Sequence, residues 1–139
     1  MVGIVIATHA RLGAALIEAA EFILGFPSPY VDFVSINLQE STEVLREKIA
    51  HGIKKVNNGE GVLILTDMFG GTPSNLSLSF LEEGKVEVLT GVNLPIVIRS
   101  LNRREGRSLE ELSQEVCNYG QKSISLASGI LKGNKRTDN

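Results

Sequence analysis

Apolar residues follow two alternating rhythms along most of the chain. Short, largely apolar stretches at Val2 to Ala7, Tyr30 to Ile36, Gly61 to Thr66 and Lys85 to Leu89 read as strands, the first and third as strands covered on both faces. Between them the spacing changes to three and four. Leu12, Ala15, Leu16, Ala19, Ala20 and Ile23 predict a helix stopped by Gly25 and Pro27. Ser41 or Thr42 predicts the cap of a second helix, whose Leu45, Ile49, Ile53 and Val56 form one stripe and which Asn57, Asn58 and Gly59 end. Thr72 before Pro73 reads as a hydroxyl cap opening a short helix to about Phe80.

The last third is patterned differently. Pro95 to Arg99 predicts a fifth strand, and the loop from Thr90 to Leu94 is too short for a helical crossover, so this strand does not extend a parallel sheet. Ser108 and Glu111 form a capping box opening a long helix, with Leu109, Leu112, Val116, Tyr119, Ser123, Ala127 and Leu131 on one face. One domain over residues 1–132 is expected, followed by a polar, frayed tail at 133–139. The succession predicts an α/β fold: an open, mostly parallel sheet in the order 2-1-3-4 with helices on both faces. In such sheets ligands collect beyond the carboxyl ends of the strands where the order reverses. His9 follows strand one and Asp67 follows strand three, so the two are expected to be neighbours.

Composition narrows what such a site serves. The net charge of −2 and the scattered basic residues leave no footprint for nucleic acid. A single cysteine, Cys117, fits a reducing compartment, and no run approaches the ~20 apolar residues of a membrane span. A cytoplasmic protein without metal or cofactor is expected. The turn THARLG is not GxGxxG, and no GxxxxGK[ST] occurs. A phospho-aspartate receiver needs an acid pair after strand one, where Thr8 and His9 stand. Metal hydrolysis needs more ligands than His9 and His51 supply.

A carboxylate bonded to one imidazole nitrogen sets the tautomer and leaves the other nitrogen a lone pair, suited to a general base or a nucleophile. An ordinary imidazole, with pKa near ~6.5, is mostly neutral at cytoplasmic pH. The surroundings favour phosphate: Gly70 and Gly71 permit close backbone approach, Thr72 offers a hydroxyl, and the helix starts after His9 and at Pro73 present free amides. Singly, each feature also has a structural reading: a turn aspartate, a tight Gly-Gly-Thr-Pro turn, a solvated His51, a half-buried Cys117, an exposed Arg103-Arg104 loop with some scope for an acidic partner.

Three segments, GIVIATHARLG at 3–13, GVLILTDMFGGTPSN at 61–75 and LTGVNLPIVI at 89–98, make the chain resemble the IIA domain of mannose-family sugar phosphotransferase systems. The resemblance implies that His9 is phosphorylated on Nε2 by the phosphocarrier HPr and passes the group to a IIB component, which phosphorylates sugar during uptake. It further implies that Asp67 bonds to Nδ1 and that Thr72 lies beside the phosphoryl group. A homodimer is implied too, with Pro95 to Arg99 exchanged as an antiparallel strand, and membrane contact only through IIC and IID components. Because the chain ends at Asn139, transfer to a separate IIB protein is expected. A regulatory module read by its phosphorylation state, the phosphocarrier subunit of a dihydroxyacetone kinase, and a domain binding an unmodified anion stay open as alternatives.

Overall fold

A computed structural model of the chain describes residues 1–133; apart from Gly133, the polar tail read from the sequence lies outside the described residues. The elements are β1 (Gly3–His9), α1 (Leu12–Leu24), β2 (Val31–Ile36), α2 (Thr42–Val56), β3 (Val62–Thr66), α3 (Thr72–Leu78), β4 (Val86–Thr90), α4 (Leu94–Arg103), α5 (Leu109–Lys122) and α6 (Ala127–Leu131). The four strands are all parallel and lie in the order β2-β1-β3-β4. β1 is therefore central. Its Ile4 and Ile6 pack with Leu63 and Leu65 against one helical layer that includes Ala20, Ile96, Val97, Leu112 and Val116. Val5 and Ala7 pack with Ile64 and Val34 against Leu45, Ile49, Val56 and Leu76 on the other face. Alternate side chains of one strand thus feed two cores, which explains its unbroken apolar run.

The helix ends follow local hydrogen-bond chemistry. Gly25 closes α1 in the left-handed region at φ 87°, its N–H donating to Glu21 O at 2.8 Å. Ser41, rather than Thr42, caps α2, its hydroxyl accepting from the Val44 N–H. The Ser108–Glu111 capping box opens α5 as the spacing predicts.

Four expectations are corrected. Pro95 to Arg99 is not a strand but lies inside α4. The Asn93 side chain accepts from the Ile96 N–H at 2.9 Å and Pro95 sits in the first turn, where a missing N–H costs nothing. The strand preference of Ile96, Val97 and Ile98 loses to this cap, because a helix places Ile96, Val97 and Ser100 together on the buried side. The exchanged antiparallel strand therefore has no counterpart at these residues. The long C-terminal helix is also broken. α5 ends at Lys122, since its buried stripe of Leu109, Leu112, Val116 and Gly120 stops there, and Ser123 turns its hydroxyl back to Tyr119 O. At α3 the cap is Gly71, with Thr72 and Pro73 as the first helical residues, so the Thr72 hydroxyl does not cap.

The fourth correction concerns Arg103 and Arg104, which are no exposed loop. Arg103 ends α4 and pairs with Glu115 at 3.1 Å, as Arg99 and Arg107 do at 3.3 and 3.2 Å. Arg104 is only 2% exposed, and its guanidinium donates to the carbonyls of Val2, Pro29 and Tyr30. Burial lowers its pKa, opposed by Glu105. It ties the end of α4 to the starts of β1 and β2, the end of the sheet opposite His9.

Candidate functional site

The site forms where β1 and β3 end side by side. Ala7 is in register with Thr66, so the next residues along each strand bring His9 and Asp67 together. His9 is the last residue of β1 rather than the first beyond it. One carboxylate oxygen of Asp67, Oδ2, accepts from the His9 backbone N–H at 2.9 Å and lies 2.9 Å from His9 Nδ1. Oδ1 accepts from the Met68 N–H at 3.0 Å. A carboxylate has only lone pairs to offer, so the ring proton is assigned to Nδ1, leaving Nε2 with its lone pair.

The electrostatics agree with an ionised Asp67. Partial burial is the largest single influence and pushes its pKa up. The hydrogen bonds from the His9 backbone and ring, the charge of the imidazolium form and the Met68 amide together outweigh it and hold the carboxyl below the ordinary 3.8. Asp67 is 13% exposed while His9 is 36% exposed, so the carboxylate is shielded and the ring reachable.

The remaining residues shape the space around the ring. A Cβ on Gly71 would lie 2.9 Å from His9 Cε1 and 3.5 Å from Nε2, so a side chain there would crowd the Cε1–Nε2 edge of the ring that glycine leaves open. Its neighbour Gly70 adopts φ 90°, which lets the loop after Asp67 turn back over the ring. Thr72 is half-buried at the first position of α3. On the other strand, Thr8 is fully buried and its hydroxyl accepts from the Gly13 N–H at 2.8 Å. This satisfies an amide at the start of α1 that its own cap residue, Arg11, leaves unbonded. The strand-to-helix turn is tight enough to force Ala10 into the left-handed region at φ 50°.

Beside the ring opens a cleft of ≈470 Å³ lined by His9, Ala10, Arg11, Ser35, Ile36, Asn37 and Leu38. The residues following β2 carry no chemical motif that marks them in the sequence, although the order 2-1-3-4 itself places them next to His9. Arg11, inside the THARLG turn, is likewise unmarked. The other chemistry-bearing residues stand apart: Cys117 lies half-buried on α5, and exposed His51 on α2 lines a neighbouring groove of ≈520 Å³ that includes Arg11 but not His9. Among the described residues no helix is long and apolar enough to cross a membrane.

The model of the EIIA-man family, described as the PTS system fructose IIA component, matches residues 3–117. The fructose-specific EIIA component of the phosphotransferase system of Bacillus subtilis is 32% identical over 133 residues, covering 95% of this chain and 90% of that protein. The mannose-specific EIIAB component of Escherichia coli is 32% identical over 127 residues, which cover 88% of this chain but 38% of that longer protein. In structure, the chain superposes on the EIIA component from Streptococcus agalactiae with a TM-score of 0.81 at 24% identity, covering 92% of this chain and 98% of that one, a likeness of fold. With the family model spanning most of the chain and a relative matched over nearly its full length, this chain belongs to the EIIA-man family of phosphotransferase system IIA components.

Proposed function

We propose that His9 is the residue through which this chain relays phosphoryl groups from HPr to a IIB component. The observation that carries the proposal is the double acceptance by Asp67 Oδ2, of the His9 backbone N–H and of Nδ1, which fixes both the ring and its tautomer. In the forward step the Nε2 lone pair attacks phosphorus, the donor's bond to phosphorus breaks and its electron pair stays with the donor. Nδ1 keeps its proton throughout. The phosphorylated ring is then cationic, and the adjacent carboxylate offsets that charge. Transfer onward runs the same step with IIB as the acceptor. Gly70, Gly71 and Thr72 are the groups proposed to hold the phosphoryl oxygens, Gly71 lying beside the Cε1–Nε2 edge of the ring.

Incubation with phosphoenolpyruvate, enzyme I and HPr tests this. One phosphoryl mass is expected per chain, acid-labile and base-stable, on the peptide that contains His9. Absence of uptake, or a label on any other peptide, overturns the assignment.

The unit proposed to act is the domain over residues 1–132, working in the cytoplasm as a homodimer and reaching the membrane only through IIC and IID components. What supports a dimer is the run after α5, where Ile124, Leu126 and Leu131 are 78, 82 and 85% exposed, a cluster of apolar side chains that water disfavours. Sedimentation equilibrium at micromolar concentration is expected to return twice the chain mass. A mass of one chain at all concentrations overturns it.

A further inference from the structure

Arg11 lines the His9 cleft and brings the positive charge to its wall. Its backbone is well placed: it is the cap residue of α1, two positions after His9, in a turn clasped by the Thr8 hydroxyl on the Gly13 amide. Its side chain is exposed and makes no hydrogen bond or ion pair among the described residues. Among the described residues the other arginines are either committed elsewhere or, like Arg46 on α2, line neither groove. Arg99, Arg103 and Arg107 converge on Glu115, and Arg104 is spent on three backbone carbonyls. In the groove that Arg11 also borders, Asp32 is already paired with Lys55 at 3.1 Å. An uncommitted arginine therefore shares with His9 a cleft that no other cationic side chain lines among the described residues.

We propose that Arg11 is a further phosphoryl-contacting residue, whose guanidinium closes on the phosphoryl oxygens once His9 carries them. The proposal rests on the reading of His9 as acceptor. A phosphoryl group brings a charge near −2, and a guanidinium offers it paired donors in a fork that matches its oxygens. No bond to Arg11 forms or breaks; the covalent change is the transfer to Nε2 described above. Because the free protein has no such anion in the cleft, the contact favours the phosphorylated state over the free one. It should therefore draw the exchange with HPr towards this protein and protect the adduct from water.

The test compares the native chain with Arg11→Gln and Arg11→Lys. Two quantities are read: the fraction phosphorylated at a fixed ratio of phosphorylated to free HPr, and the hydrolysis half-life of the isolated phosphorylated protein at constant pH. Arg11→Gln is expected to lower the ratio of phosphorylated to free protein and the half-life each by roughly fivefold, the scale of a partly exposed charge pair, and Arg11→Lys to recover part of each. The half-life is measured without any partner protein, so a role in docking HPr leaves it unchanged. Equal half-lives for native and Arg11→Gln proteins, or a change confined to the rate of transfer from HPr, overturn the proposal while leaving the His9 assignment standing. If the native chain takes up no phosphoryl group, the acceptor assignment fails first and the Arg11 proposal with it. Thermal unfolding midpoints that agree between the three proteins exclude loss of fold, as expected for a turn held by Thr8 rather than by the Arg11 side chain.

Discussion

His9→Ala is expected to accept no phosphoryl group from HPr, while His51→Ala accepts it at the native level. The chain has only two histidines, so this pair of variants separates the roles completely. His51 is exposed on α2 and does not line the His9 cleft, so it meets neither Asp67 nor Gly71. His9 alone has one nitrogen engaged by a carboxylate and the other free. Removing its ring takes away the nucleophile itself, for which no neighbouring group substitutes: the Asp67 carboxylate is engaged by two amides, and its depressed pKa makes it a weak nucleophile. His9 is half-buried and belongs to neither apolar core, so the variant should unfold at a midpoint near that of the native chain. Residual uptake by His9→Ala on phosphoprotein gels, or loss of uptake by His51→Ala, contradicts the assignment.

Asp67→Asn is expected to slow phosphorylation of His9 by about a hundredfold to a thousandfold, by analogy with the tautomer role of a buried carboxylate beside a catalytic imidazole. The reason lies in the hydrogen-bond census of the native side chain. Oδ2 accepts twice from His9 and Oδ1 accepts from the Met68 N–H. An asparagine has one acceptor oxygen and one NH₂ group. Turned one way, its NH₂ confronts the Met68 N–H. Turned the other, it confronts the His9 N–H and donates to Nδ1, moving the ring proton to Nε2 and removing the attacking lone pair. Stopped-flow transfer from phosphorylated HPr measures the rate, and a native rate removes Asp67 from the mechanism. The same substitution carries a pH signature. A carboxyl held below its ordinary pKa adds stability that is complete above the unfolded value and is lost as pH falls through the folded one. As pH falls below the ordinary carboxyl value of 3.8, the urea midpoint of the native chain is therefore expected to fall more steeply than that of Asp67→Asn. Parallel acid branches contradict the account.

The histidine and the carboxylate are legible in the sequence because each follows a strand marked by an unbroken apolar run, and the alternation of strands and helices dictates which strand ends adjoin. The Gly-Gly turn is legible as a place of close approach. What is approached is not: only the register of β1 against β3 brings Gly71 beside the Cε1–Nε2 edge of the His9 ring. Arg11 is silent in the sequence because a single arginine in a turn carries no periodic signal, and its weight comes from lining the His9 cleft without a partner of its own. The last third of the chain misleads for a related reason. Composition favours strand at Ile96 to Ile98, and the helix wins through one side-chain bond from Asn93 together with a face that only the finished sheet makes buried.

By itself, then, the sequence determined the rhythm of the elements, the parallel sheet, the caps at Gly25 and Ser108, and the presence of a histidine and an aspartate at adjoining strand ends. These are properties of residues within a few positions of one another, where backbone geometry leaves few choices. The tertiary structure alone decided that one carboxylate oxygen serves both the backbone and the ring of a residue 58 positions away. It also decided that Arg104 is buried under three carbonyls and that Arg11 faces the reactive cleft. Such outcomes depend on strand register and on which polar groups are already satisfied, and both are settled only when distant segments meet.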